Sequence, residues 1–494
     1  MSRSALVIGA GFAGISAAAD LAKRGFSVTV VEKNATPGGR ARVLRENGYV
    51  FDMGPSWYWM PEVFEQWFVH FGQRVSDHYD LVRLDPSYQV IFGDNDAWSI
   101  PATRPALRAF FEQMETGAGA QLDRFLEEAG VKYELGMHEL VHRPSLTWGE
   151  YAHPKLITGI LRSTVFRSLR AHVADHFRSP RLRQLMEFPV LFLGATPART
   201  PALYSLMNYA DMALGTWYPM GGMGRIVDGM VRVAEAQGAR FLYDHAVERI
   251  LVQNARAVGV RTRRGDLFAD VVVAGADYHH VDQHLLPVEL RAYTPSYWER
   301  RVMAPSSLLF YLGFDTRLKK LLHHSLFFDE DLDRHASEIY DAPQWPSRPL
   351  MYVSASSVTD PGVAPPGHEN VVTLIPIAPG LPDGPEVRQP YLGRVRARLT
   401  RHTGQDLRRH LVHQRSYCIA DFEQDYNAFR GNAYGLANTL LQTAVLKPRM
   451  KSRKVAGLYY TGQLTVPGPG VPPAIISGQV VAGLVDKDLQ RMHA

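Results

Sequence analysis

Three glycines stand in the order Gly9-Ala10-Gly11-Phe12-Ala13-Gly14, directly after the apolar run 5–8 and before the helix-forming stretch 15–24. Gly9 suits a tight turn, Gly11 lets the backbone come close to a bulky anion, and Gly14 lets a helix pack against a strand. A helix beginning here presents unpaired N–H groups and a positive dipole end to that anion. A second apolar run, 27–31, ends in Glu32, 18 residues after Gly14. A carboxylate at that distance accepts hydrogen bonds from ribose hydroxyls and disfavours a 2′-phosphate. Strand, glycine turn, helix, strand and acid make a dinucleotide site, with Phe12 and Ala13 at the helix start and Lys33 beside the acid. NADP is argued against by Glu32.

The next segment favours FAD over NAD. Gly38 and Gly39 again allow close backbone approach, and Arg40 is a charged donor suited to a pyrophosphate. Arg42 is a second candidate for that role. Gly54 is free of a side chain where a flat ring lies. The other end of the chain carries a matching arrangement, "GLYYTGQLTVPGPGVPPAIISG". A strand over 457–460 delivers Thr461 and Gly462 to the nucleotide site. Gly468 and Gly470 let the backbone pass the flavin, and Val471-Pro472-Pro473 fix the start of a helix from Ala474. That N-terminus aims its dipole at flavin N1/C2=O, where charge gathers on reduction.

Other residue clusters carry less. Asp277, His279, His280, Asp282 and His284 lie close in sequence, but without a two-element ligand spacing, so a polar helix start is expected there. His323-His324 reads the same way. The single cysteine, Cys418, excludes an intramolecular disulfide, makes a reducing compartment the default and is expected as a small buried apolar residue. The formal net charge of +5 in 494 residues is mild, and no lysine-rich arm occurs, so nucleic acid is set aside. The length suggests two or three domains. The N-terminal apolar stretch is broken by glycines, which argues against a signal peptide. No uninterrupted run of about 18 apolar residues predicts a transmembrane helix.

"VIGAGFAGISAAADLAKRGFSVTVVEKNATPGGRARV" and "GYVFDMGPS" resemble the FAD-binding flavoprotein superfamily of amine oxidases, GDP-dissociation inhibitors and carotenoid desaturases. Within it they are most similar to the bacterial-type phytoene desaturases, and the likeness continues through 188–241. The resemblance implies an α/β fold: a Rossmann-like FAD-binding domain assembled from 1–75, 218–285 and 450–494. It adds a mixed-sheet substrate domain from 76–100, 200–217 and 286–449, and a helical, membrane-contacting subdomain over 101–199. Val247 matches the position that holds adenine through backbone groups. The implied activity is desaturation of phytoene, with a long-chain carotenoid (C30–C40) as substrate and oxygen or a quinone as electron acceptor. The implied location is cytoplasmic, on a membrane surface. Alternatives are another carotenoid-acting flavin oxidoreductase (later-step desaturase, saturase, isomerase or ketolase), an amine-oxidase-like enzyme, or a non-catalytic prenyl-lipid carrier.

A hydrocarbon offers nothing to hydrogen-bond, so its site is expected to be a long apolar tunnel. Trp57, Tyr58, Trp59, Phe64, Trp67 and Phe68 are candidates for its wall, with core packing equally open for each. Strands are expected over 308–313, 350–355 and 371–377. Leu156, Ile157, Ile160, Leu161, Val165, Phe166 and Leu169 have helical spacing with Lys155, Arg162, Arg167 and Arg170 between them, as in a helix lying on a membrane. Arg183 falls in a stretch resembling a polar site region, although an ion pair explains it as well. No catalytic base is identified.

Overall fold

The computed structural model describes residues 3–151 and 167–493. Strands Leu458–Tyr460, Val271–Ala274, Ser4–Ile8, Ser27–Val31 and Arg240–Leu242 form, in that order, one wholly parallel sheet. Its central strands are buried on both faces: Ala5, Val7, Val271 and Val273 pack on helices, and Leu6, Ile8, Val272 and Ala274 pack in a second cluster with Ile250, Ala257 and Val260. Strands from residues 4–31, 240–274 and 458–460 thus meet in one sheet: Val271–Ala274 pairs with Ser4–Ile8, as the sequence predicts, and Leu458–Tyr460 pairs with the far edge of Val271–Ala274. An antiparallel three-stranded sheet, Val247–Gln253, Arg256–Thr262 and Gly265–Phe268, adjoins it.

The two terminal helices lock this part together. Helix Phe12–Lys23 is rich in alanine and glycine, so the C-terminal helix Val471–His493 comes against its backbone. A Cβ on Gly478 would stand 2.5 Å from the Ala13 carbonyl oxygen. Ser16 Oγ donates to the Ile475 carbonyl at 2.7 Å, and Trp67 Nε1 donates to Ser16 Oγ at 3.0 Å.

A seven-stranded sheet runs Leu411–Tyr417, Ser306–Phe314, Glu369–Ile377, Met351–Ser354, His324–Phe327, Tyr88–Gly93, Asp96–Ile100. It is mixed, because His324–Phe327 pairs parallel with Tyr88–Gly93 while its other pairings are antiparallel. The described residues between 104 and 212 are mainly helical, with Arg104–Met114, Ala118–Glu134 and a π-helical turn at Leu135–Leu140. Among the described residues no helix is long and apolar enough to cross a membrane.

Several expectations need correction. Residues 152–166, most of the basic amphipathic stretch, lie outside the described residues. At its described end Ser168 is extended and caps a separate helix, Leu169–His176, so one helix does not run on to Leu169. Arg167 is held by Asp175, and Arg170 by Asp333 and Glu187, which leaves neither as a free cation. Four of the six tunnel aromatics are core instead. Tyr58 stacks on Phe64 and bonds Tyr79, Trp67 holds Ser16, and Phe68 stacks on His78. The reason is local: the chain is extended at 57–59, so Trp57 and Trp59 face one way and Tyr58 the other. Arg183 makes no site contact; its Nε donates to the Phe177 carbonyl at 2.6 Å. Cys418, by contrast, is fully buried as expected, and burial pushes its thiol pKa up.

Candidate active site

The glycine turn after Ser4–Ile8 is built by contacts that exclude side chains. Gly9 has φ +94°, and a Cβ on Gly14 would lie 2.0 Å from the Gly9 oxygen. Gly14 therefore fixes the helix against the turn and does not itself line the cavity. Gly11 is the opposite case: a Cβ there would meet nothing within 4 Å, because the position opens onto the cavity. Gly38 N donates to the Ala10 carbonyl at 2.7 Å, which joins the second glycine pair to the first turn.

Glu32 is set by the same turn. One carboxylate oxygen accepts from Ala10 N at 2.7 Å, the other from Asn34 N and Nδ2 at 2.9 Å each. A carboxylate offers about four acceptor sites, so capacity remains for a ribose hydroxyl. Lys33 lines the same cavity, but its ammonium group bonds the Gln424 carbonyl at 2.6 Å, and burial lowers its pKa.

Arg40 points one Nη at the Asn432 carbonyl (3.1 Å) and lies over the Tyr426 ring. Its Nε is buried with no partner. Burial pulls the guanidinium pKa down, and the carboxyl of Asp277 opposes that. Asp277 itself is pushed up to about 6 by burial. Arg42, the second pyrophosphate candidate, is not in the cavity wall: Asp425 captures it beneath Tyr426. Gly54 lines the cavity and also permits a backbone approach, since a Cβ there would be 2.4 Å from the Arg40 oxygen.

The far end of the chain completes the wall. Gly462 N donates to Ser477 Oγ at 3.0 Å, and Gly470 (φ +113°) leads into the helix that begins at Val471, with Pro472 and Pro473 in its first turn. Gly9, Gly11, Phe12, Ala13, Glu32, Lys33, Gly38, Gly39, Arg40, Gly54, Val247, Gly462, Gly470, Val471 and Pro472 all line one cavity of ≈ 1090 Å³. Gly468 does not line it; it lies behind, against Lys447 and Asn438.

Beyond the glycines the cavity becomes apolar. Trp57, Trp59, Met137, Leu206, Leu309 and Leu374 are among its walls. Trp57 is fixed by stacking on His324 (centroids 4.1 Å, 14°), and His324 Nδ1 bonds Tyr352 OH at 2.7 Å. Burial holds the His324 imidazole neutral. This histidine pair is strand packing behind the cavity: His323 bonds Thr359. Asp277 caps the short helix Tyr278–His284 as expected, and also faces the cavity beside Arg40, which the sequence did not reveal. Tyr352, Tyr434 and Asn438 were missed too. They reach the site from distant strands and loops, and no local pattern marks them.

These residues fit FAD. The open backbone at Gly11, the unpartnered Arg40 Nε and the Glu32 carboxylate match a pyrophosphate and a ribose, while the apolar continuation leaves room for a hydrocarbon.

Comparison with known proteins agrees. Residues 12–486 match the family described as flavin containing amine oxidoreductase. The chain is 41% identical to a carotenoid 3,4-desaturase of Haloarcula japonica, over 98% of each chain. It is 33% identical to a zeta-carotene-forming phytoene desaturase of Myxococcus xanthus, over 97% of this chain and 93% of that one. A solved putrescine oxidase bound to putrescine shares the fold, with TM-score 0.62, 15% identity and 99% of both chains covered. The chain belongs to the flavin-containing amine oxidoreductase family, among its carotenoid desaturases. It is an FAD-dependent oxidoreductase acting on CH–CH groups, which sets aside the non-catalytic carrier.

Proposed function

We propose that this enzyme desaturates a carotenoid at the C3–C4 bond, lengthening the conjugated system of a long-chain polyene during carotenoid biosynthesis. The observation that carries the reading is one continuous cavity of ≈ 1090 Å³, glycine-lined at one end and walled by apolar side chains beyond. The 41% identity to a carotenoid 3,4-desaturase supports the position of the bond. The second reading, desaturation of phytoene, is favoured by the 33% identity to the Myxococcus enzyme.

A CH–CH bond becomes C=C by losing one hydrogen with its electron pair to bound FAD and the other as a proton. The protein binds, aligns and excludes water. Gly11, Gly39 and Arg40 would hold the pyrophosphate, Glu32 the ribose, and Val247 the adenine. Gly54, Gly462, Gly470 and Val471 would hold the flavin ring. Its pyrimidine end would lie at the start of the C-terminal helix, whose dipole favours negative charge there. Affinity for the polyene comes from burial at about 25 cal/mol per Å² of apolar surface. Trp57 and Trp59 supply flat walls for a conjugated chain.

The division into an FAD-binding part (1–75, 218–285, 450–494), a substrate part (76–100, 200–217, 286–449) and a helical part (101–199) belongs to this proposal. So do a membrane surface as substrate source and oxygen or a quinone as re-oxidant. Trp148 and Leu446, both lining the cavity yet 66% and 40% exposed, support an apolar mouth facing lipid. The test is incubation of FAD-loaded enzyme in liposomes with lycopene-type and phytoene substrates in parallel. A 3,4-dehydrogenated product from the lycopene-type substrate alone supports the first reading. Conversion of phytoene alone supports the second, and no product from either contradicts both.

A further inference from the structure

Lys447 follows the cavity-lining Leu446 and is only 4% exposed. Its Nζ donates to Asn438 Oδ1 at 3.0 Å, and Asn438 lines the cavity. On another side the loop 466–470 passes over the ammonium group. A Cβ on Gly468 would stand 3.1 Å from Lys447 Nζ and 3.2 Å from Asn438 Oδ1. Pro467 and Pro469, on either side of Gly468, face the cavity, and Gly470 opens the C-terminal helix.

Both segments that meet the ammonium group, 436–446 and 461–470, contain no titratable side chain, and the nearest charge along its own segment is Arg449, also a cation. Among the described residues no carboxylate pairs with Lys447. A buried ammonium group without a counter-ion is costly to maintain. Burial brings its pKa down to about 7. An anion beside it would remove that cost.

We propose that Lys447 is a positioning residue for the redox step: through Asn438 and the Gly468 loop it supplies a titratable positive charge to the end of the flavin where reduction places negative charge. The proposal rests on the ring placement given above. The helix dipole supplies a fixed partial charge at that end, and Lys447 adds one that responds to pH. Reduction raises the proton affinity of the amine, so between about pH 7 and that raised value one more proton is taken up with the electrons.

The test is the midpoint potential of the flavin in the holoenzyme, measured anaerobically from about pH 6 to 9. The wild-type potential should fall more steeply with pH once Lys447 begins to titrate. Lys447→Met should lower the potential at about pH 6 and lose the change of slope; Lys447→Arg should keep the high potential and also lose the change of slope. A flavin-loaded Lys447→Met protein with wild-type potential and profile would overturn the proposal. If that variant fails to fold, the wild-type profile decides: no extra proton in this range overturns it. Ring placement is tested separately by Gly470→Val, whose strained backbone and added bulk should abolish flavin binding. Full flavin content in that variant would contradict the placement itself.

Discussion

Gly478 lies against Ala13 so closely that a methyl group on it would stand 2.5 Å from the Ala13 carbonyl oxygen. This contact joins the first and last helices of the chain, and each begins at the cavity wall, at Phe12 and Val471. The two glycine-rich walls of the cavity are therefore held in register by a helix crossing with no room for a side chain.

Gly478→Ala should force the helices apart and cost about 1–3 kcal/mol, the usual range for overpacking. Thermal unfolding and visible flavin absorbance should fall together. An unchanged melting temperature with full flavin content would show that the crossing does not set the site.

Glu32→Ala should weaken FAD binding by about tenfold or more, since it leaves Ala10 N–H and Asn34 without their acceptor as well as removing a ribose partner. Glu32→Gln keeps one carbonyl acceptor and should lose less. Flavin titration of the two apoproteins checks the order.

A pH effect follows from the network behind Trp59. Trp59 Nε1 donates to Thr216 Oγ1 (2.8 Å), Thr216 to Asp211 (3.1 Å), and Tyr88 OH to Asp211 (2.7 Å). Burial pushes the Asp211 carboxyl up to about 7. Below about pH 4 both folded and unfolded chains carry the proton, so the group costs nothing. As pH rises towards 7 the unfolded chain releases it first, and stability falls. Asp211→Asn, which can still bond Tyr88 and Thr216, should remove this slope. In urea unfolding its gain over wild type should be larger at about pH 8 than at about pH 5, by on the order of 1–3 kcal/mol. An equal gain at both would contradict the assignment.

Leu374 lines the apolar half, away from the glycines. Leu374→Trp should obstruct the polyene and lower kcat/KM at least tenfold (roughly 1.4 kcal/mol), while flavin content stays at the wild-type level. Unimpaired turnover would place the substrate elsewhere.

The glycine-lined half of the cavity was legible in the sequence because its constraints are local and concern the backbone. Gly9, Gly11, Gly14, Glu32 and Gly39 stand at spacings that a turn and a helix start impose, and the proline-rich loop before Val471 could be matched to them. The apolar half was not legible, since its walls come from residues as distant as Trp57, Met137, Leu309 and Leu374. Type alone did not separate Trp57 from Tyr58; only the extended backbone, which alternates their directions, does. Arg42 stood as a second candidate beside Arg40, and only Asp425, contributed from far along the chain, shows that it is captured elsewhere. Lys447 gave no signal because a lysine in sequence reads as a surface charge.

The central claim is that FAD bound between the chain ends takes electrons directly from a polyene in the adjoining cavity. Mixing FAD-loaded enzyme anaerobically with a carotenoid substrate in liposomes, and following flavin absorbance alongside product chromatography, tests it in one turnover. The account predicts bleaching of the flavin matched by one new conjugated double bond per flavin. A flavin that stays oxidised while the carotenoid is unchanged, in protein shown to bind both, would contradict it.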